Sequence, residues 1–186
     1  MKRWKTSFGD SFQEMRNLKN LAAISMLLAI TVVLGFYRLQ ITDYLRIGFD
    51  SLAKELTGML FGPVAACAVA GLADIISYIL KPVGAFFPGL TLSAMLAGVI
   101  YGVVLYRKPL TLRRVILANV LVTVFVNLLL NTYWMSVLYG NGFLAILPAR
   151  AVKQALMLPI DIILFYTVAR LLGKANILRM IKRTAP

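Results

Sequence analysis

Apolar residues in this chain gather in long runs separated by short stretches rich in charge, glycine or proline, the pattern of membrane-spanning helices. The first run covers about 18–37. A second, shorter and more polar, covers about 50–61 and ends at Gly62-Pro63, which turns the chain. The third, about 63–80, stops at Lys81-Pro82, and the fourth, about 88–106, stops at Arg107-Lys108-Pro109. Both stops join charge to a proline, which removes a backbone donor and clashes with the preceding turn. The fifth run covers about 113–133 and the sixth about 148–172, where Gly173 supplies a C-terminal cap. This pattern predicts an all-α integral membrane protein: a six-transmembrane-helix bundle forming a single domain over 1–186, with a basic, partly amphipathic head at 1–17.

Between Val115 and Ala149 there is no charged side chain, yet Asn119, Asn127, Asn131, Tyr133, Trp134, Tyr139 and Asn141 interrupt the apolar background. As one helix this stretch would run about 52 Å at 1.5 Å per residue, against a hydrocarbon core of about 30 Å. It must break, and Tyr139-Gly140-Asn141-Gly142 is the place where left-handed backbone angles are tolerated. Two spans joined by an aromatic, polar loop are therefore expected, closed by Arg150 and Lys153.

The chain has 186 residues, 60% of them hydrophobic, and a mean hydropathy of +0.82, which leaves little material for a soluble domain. The first apolar run continues to Tyr37-Arg38 without a small-residue cleavage site, so a cleaved signal peptide is not expected. A lone Cys67 among small apolar residues permits no internal disulfide and reads as packing. With no histidine the commonest metal ligand is missing, and no cofactor or metal is called for. A net charge of +13 raises the question of nucleic acid, but the basic residues alternate between short loops instead of forming one face.

That alternation sets orientation. Lys2, Arg3, Lys5, Arg16 and Lys19 precede the first span; Arg107, Lys108, Arg113 and Arg114 join the fourth and fifth; Arg170, Lys174, Arg179, Lys182 and Arg183 end the chain. An even number of spans puts all three groups, and both termini, on the cytoplasmic side. Arg38, Arg46, Lys54, Lys81, Arg150 and Lys153 then lie toward the outside, where they either snorkel to headgroups or face an anion.

Parts for chemistry are missing: there is no phosphate-binding G-x-x-x-x-G-K-[ST], no H-E-x-x-H and no acidic pair spaced for two metals. No enzyme is expected. Asp74 and Asp161 are the acidic residues placed well inside predicted spans, and a carboxylate at that depth serves a ligand, an ion or a partner charge. For Asp161, two residues after Pro159, a local pair within the bundle is an equal reading. Asp74, beside Gly71 and Ala73, is the better ligand candidate. Ala22, Ser25 and Ala29 form a small-residue face on the first span, available to the bundle or to another subunit, and Ala66 and Ala70 share a face with Asp74 on the third.

Six short spans with a small-residue face on the first resemble the substrate-binding S-components of energy-coupling factor (ECF) vitamin transporters. The stretch Leu130-Asn131-Thr132-Tyr133-Trp134-Met135-Ser136-Val137-Leu138-Tyr139-Gly140, followed by Leu147-Pro148-Ala149-Arg150 and Lys153-Gln154, is similar to the folate-specific branch. Ile47-Gly48-Phe49-Asp50-Ser51-Leu52, Leu60-Phe61-Gly62-Pro63 and Gly71-Leu72-Ala73-Asp74 carry the same likeness, which spans roughly 18–172. It implies a folate binder open to the outside, working with the membrane coupling subunit EcfT and two cytoplasmic ATPases, and reorienting in the bilayer to release its ligand. Ala22, Ser25 and Ala29 would then dock the coupling subunit.

A folate presents a flat pterin with an amide-like edge and a glutamate with carboxylates, so aromatic faces, amides or a carboxylate, and cations should converge. Tyr133 and Trp134 offer aromatic surface, Asn131 and Gln154 amides, Arg150 and Lys153 cations, and Asp74 an edge-reading carboxylate. Arg150, Lys153 and Gln154 lie at offsets of three and four, so they share a helix face. Tyr78, Phe86 and Phe87 near the outer loop after the third span, and Arg46 in the first outer loop, are placed to close over the ligand or to belong to an interfacial aromatic belt. The segment 38–49 is expected to form an extended lid. Thiamine or riboflavin S-components share the architecture; the two cations favour a carboxylated ligand. A small membrane enzyme or a scaffold is the remaining alternative.

Overall fold

The computed structural model describes residues 2–36, 39–42, 45–82, 86–140 and 142–174. Arg38, Asn141, Arg179, Lys182 and Arg183 lie outside the described residues, and of Arg46 only the strand backbone is described. The chain order is α1 (Lys2–Arg16), α2 (Leu18–Phe36), β1 (Leu39–Thr42), β2 (Leu45–Ile47), α3 (Asp50–Leu80), α4 (Pro88–Leu105), α5 (Leu112–Leu121), a π-helical stretch (Val122–Leu130), α6 (Asn131–Tyr139) and α7 (Phe143–Lys174). Among the described residues, five continuous helical stretches are long and apolar enough to cross a membrane. The one beginning at Asp50 does so in two arms, because Gly62 inside it leaves the helical region at φ 86, ψ −172. Lys54 and Asp74, on opposite sides of that break, line one cavity; in a straight helix they would stand about 30 Å apart. The chain therefore folds back at Gly62, and the six helical segments expected from the sequence are all present.

Three features make this turn stable. Glycine alone adopts that backbone angle without strain. Pro63 follows as the first residue of the second arm, where its missing N–H costs nothing. The polar groups opened by the break are met from elsewhere: the Ser11 hydroxyl of α1 donates to the Phe61 carbonyl (2.6 Å) and accepts from the Val64 and Ala65 amides (3.1 and 3.3 Å). The basic head is thus a helix packed under the bundle. A second tie reinforces it, since the Tyr106 hydroxyl donates to Glu14 at 2.6 Å and Arg107 donates to Asp10 (2.7 Å) and Glu14 (3.3 Å). Burial and the Glu14 hydrogen bond push the Tyr106 hydroxyl well above the usual phenol range, so it remains a donor. Ser11→Ala should lower stability by about 2–3 kcal/mol, because it strands a buried carbonyl and two amides. Thermal unfolding of the purified protein in detergent measures this, and an unchanged midpoint would remove Ser11 from the cap.

Around the turn, α4 lies against both arms of α3, and a Cβ on Gly102 would come within 2.4 Å of the Pro63 backbone. Glycine is what lets the two backbones approach so closely. Leu56, Ala97, Tyr101, Leu105, Val115, Ala118, Val122, Val126, Phe165 and Ala169 form the main core, joining α3, α4, α5, the π-helical stretch and α7. Ile24, Phe61, Ala65 and Val69 form a second, through which α2 packs on α3. Ala66 and Ala70 are fully buried, so the small face of the third span serves packing. On α2, by contrast, Ala22, Ser25 and Ala29 are exposed.

The fifth and sixth spans differ in extent from the sequence reading. Helix continues without a gap from Leu112 to Tyr139, because no breaker stands between Tyr133 and Gly140, where φ turns to +67. The last span begins at Phe143, ahead of Pro148: the Gly142 carbonyl accepts from the Ala145 and Ile146 amides (2.9 and 3.4 Å) and starts the helix. Only residues 140–142 separate α6 from α7, so Trp134, expected in the loop beyond the fifth span, sits on a helix turn with Asn131 and Tyr133. Of the segment after α2, Leu39–Thr42 and Leu45–Ile47 are extended, as expected, with Leu39 opposite Ile47 and Gln40 opposite Arg46 in an antiparallel pair.

Candidate ligand-binding site

A cavity of about 240 Å³ opens between the helices at the end of the bundle away from Gly62. On α4 its lining runs from Leu90 down to Tyr101, a depth of about 16 Å at 1.5 Å per residue. Each neighbouring element contributes polar groups. Asp50, Ser51, Lys54 and Asp74 come from α3, and Asn127 and Asn131 from the end of the π-helical stretch and the start of α6. Arg150, Lys153, Gln154 and Asp161 come from α7, and Gly48, just beyond β2, lies at the hairpin side. Apolar walls are supplied by Ala94, Ala97, Val122, Val126, Met135 and Met157. Most of the charge in this lining is already fixed in place. Asp74 accepts from the Thr91 hydroxyl at 2.7 Å, and Lys54 is paired with Asp50 at 2.7 Å. Arg150 donates to the Asn127 carbonyl at 3.2 Å, and the Asn131 amide donates to Asn127 Oδ1 at 3.3 Å. The stretch that presents Asn127 is π-helical, a form that recurs at functional sites.

The description "ECF transporter, substrate-specific component" matches residues 19–169 of the chain. The chain belongs to this family. It is 38% identical to the folate transporter FolT of Clostridium novyi (strain NT) over 162 residues, covering 86% of this chain and 94% of that protein. A crystal structure of FolT bound with folic acid superposes with a TM-score of 0.77 at 38% identity, covering 82% of this chain and 93% of the other. The structure of the S component of a bacterial ECF transporter gives a TM-score of 0.58 at 25% identity, over 83% and 97% of the two chains. The S-component described here is accordingly a multi-pass protein of the cell membrane, with the helical-bundle fold of the family and, beyond the all-α expectation, one short β-hairpin.

Five of the residues singled out from this S-component's sequence meet at the cavity: Asp74, Asn131, Arg150, Lys153 and Gln154. Asp161 joins them, within electrostatic reach of Lys153 and Asp50. Others are placed elsewhere. Tyr133 is 52% exposed and points away. Trp134 lies behind the lining, its ring 5.4 Å from Phe87 and 5.0 Å from Tyr133, with its indole N–H buried and lacking a protein acceptor. Tyr78 and Phe86 pair with each other, centroids 5.1 Å apart, and do not line the cavity.

From the sequence, Asp50, Ser51 and Tyr101 had no assigned site role, and Lys54 stood only among the cations expected toward the outside. The i, i+4 spacing of Asp50 and Lys54 was the available signal, since such a pair shares a helix face. Asp74 and Asp161 are also not the sole deep carboxylates. Glu55 is 1% exposed at the heart of α3, and its oxygens make no hydrogen bond of good geometry although Tyr101 and Asn119 stand beside it. The Tyr101 hydroxyl is instead 3.4 Å from Asn119 Oδ1, and the Asn119 amide donates to the Val115 carbonyl at 3.2 Å.

Proposed function

We propose that this S-component captures folate in the cavity from the outer side of the membrane and delivers it to the cytoplasm when partner ATPases act through the coupling subunit EcfT. One observation carries the reading: amides, a carboxylate and the cations Arg150 and Lys153 converge on a single membrane-embedded cavity in a chain similar to folate transporters. The pterin edge would be read by Asp74, Asn131 and Gln154, and the glutamate carboxylates by Arg150 and Lys153, with Lys54, buried and paired with Asp50, a further cation in the lining. Support for the orientation comes from the basic residues Lys19, Arg107, Lys108 and Arg113, all exposed and placed near the Gly62 end, which the positive-inside bias assigns to the cytoplasm. The cavity then faces outward. Its volume of about 240 Å³ falls below the range of about 300–1,000 Å³ for small-molecule sites, so admission of a folate requires movement at the mouth. Because it leads directly into Gly48, the β1–β2 hairpin is the element placed to move as a lid, with Arg46 on it.

Isothermal titration of the purified protein with folate, thiamine and riboflavin tests the reading. Folate alone should bind; a folded protein that ignores folate, or prefers either other vitamin, overturns it. The exposed face of Ala22, Ser25 and Ala29 on α2 is the proposed docking surface for the coupling subunit, as small side chains let helices approach closely. Ala29→Trp should leave folate affinity of the isolated protein within about twofold while cutting uptake by the assembled transporter about tenfold, a change of about 1.4 kcal/mol in docking. Loss of binding by the isolated protein would instead mark this face as part of the fold.

A further inference from the structure

Helix α1 has a surface that neither the cavity nor the bundle uses. One face is committed to packing, with Ser11 fully buried on the α3 break and Glu14 beneath Tyr106. The flank carrying Asp10 is committed as well, since Asp10 and Glu14 both pair with Arg107. On the opposite flank, Phe8 and Phe12 lie one helical turn apart and are 38% and 53% exposed. Arg16, a further turn along, stands 5.4 Å from the centre of the Phe12 ring. Lys19 follows, exposed, at the start of α2. Both acidic groups of α1 thus point to Arg107, and the aromatic flank is left with basic neighbours.

The height of α1 relative to the bilayer is set by covalent connection. Only Asn17 separates it from α2, a membrane span whose first residue, Leu18, is 80% exposed. The Ser11 and Arg107 ties hold the rest of α1 against the same end of the bundle, so it cannot swing into bulk water. An apolar flank bordered by cations at this height has the make-up of an interfacial helix, whose rings enter the headgroup and acyl boundary while its cations meet lipid phosphates.

We propose that α1 docks on anionic phospholipid of the leaflet at its end of the bundle, with Phe8 and Phe12 entering the interface and Arg16 and Lys19 contacting headgroup phosphates. The lipid surface is thereby joined, through Ser11, to the turn at Gly62. This inference needs the membrane fold and not the folate reading, and its test uses no folate.

The chain has two tryptophans, so Trp4→Phe with Trp134→Phe provides a background silent to tryptophan fluorescence. Phe12→Trp places a reporter on the proposed lipid flank, and Gln13→Trp places one on the exposed far face. Each is reconstituted in phosphatidylcholine vesicles and in vesicles of phosphatidylcholine with about 30% phosphatidylglycerol, both containing brominated acyl chains, conditions that expose the contribution of lipid charge. The reporter at 12 should emit to the blue of the reporter at 13 and be quenched severalfold more strongly, most of all with the anionic lipid. Arg16→Gln with Lys19→Gln should remove that extra quenching. Water-like emission at both positions, including the case in which only the coupling subunit covers this flank, overturns the proposal, as does equal quenching at 12 and 13. Quenching at 12 that is blind to phosphatidylglycerol overturns the headgroup contact. Reporters at 8 and 9 provide the same contrast if substitution at 12 unfolds the protein.

Discussion

Arg150→Ala should weaken folate binding by about 30-fold or more, since truncating one member of a desolvated, hydrogen-bonded charge pair costs about 2–5 kcal/mol. The guanidinium does not have to be recruited: its donation to the Asn127 carbonyl holds it at the cavity wall before any ligand arrives. Preorganisation of this kind lowers the ordering cost of binding, and that saving is lost with the side chain. A pterin fragment lacking the glutamate has no carboxylates for Arg150 to meet, so its affinity should change little in the same variant. Parallel titrations of folate and the fragment, in wild type and variant, separate the two. Equal losses for both ligands would take Arg150 out of the glutamate subsite and leave it a structural strut for Asn127.

Gly62→Ala should be among the most damaging single-methyl additions in the chain, lowering stability by about 3 kcal/mol or more. Two penalties coincide there. A side chain at φ 86, ψ −172 is strained by about 1–3 kcal/mol. The added Cβ would also meet the Ser11 Cβ at 2.8 Å and its hydroxyl at 2.9 Å, and overpacking of this kind costs about 1–3 kcal/mol. Relief would push α1 away and reopen the Phe61 carbonyl and the Val64 and Ala65 amides. Gly140→Ala is the matched control. It too has positive φ, at 67, but a Cβ there meets nothing within 4 Å, so a loss of only about 1 kcal/mol is expected from backbone strain alone. Thermal unfolding and the monodisperse yield from detergent extraction compare the two, and similar midpoints would show that α1 yields at Ser11.

Some of the candidate site was legible in the sequence because polar groups in apolar spans are conspicuous. Asp74, Asn131, Arg150, Lys153 and Gln154 were each visible as a cost in lipid, and the three- and four-residue offsets on α7 already grouped the last three. Tyr133 and Trp134 were assigned by proximity in sequence, which a helix does not respect. Once α6 proved continuous with the stretch before it, Asn131 and Met135, four apart, faced the cavity, and the two aromatic residues between them turned outward or behind. The π-helical hydrogen bonding of Val122–Leu130 alters the angular phase of this wall, and nothing in a run of Val, Leu and Phe announces it. Asp50 and Tyr101 escaped for another reason: they meet only because the first arm of α3 leans on α4, a contact between distant segments.

The sequence by itself determined the class of this protein, the approximate places of its helices, the turn at Gly62-Pro63 and the break after Tyr139. Each of these follows from local physics: a backbone that must satisfy its own hydrogen bonds in lipid, and residues that can or cannot take a given φ. Tertiary structure alone decided which faces meet. It brought α1 beneath the turn so that one serine serves three backbone groups, buried Glu55 while leaving Ala22, Ser25 and Ala29 outside, and gathered groups from α3, α4, α6 and α7 around one cavity. In a chain where nearly every helix is apolar all round, hydrophobicity cannot choose the buried face. Close packing at small residues and the pairing of a few polar groups make that choice, and both are properties of contacts between segments.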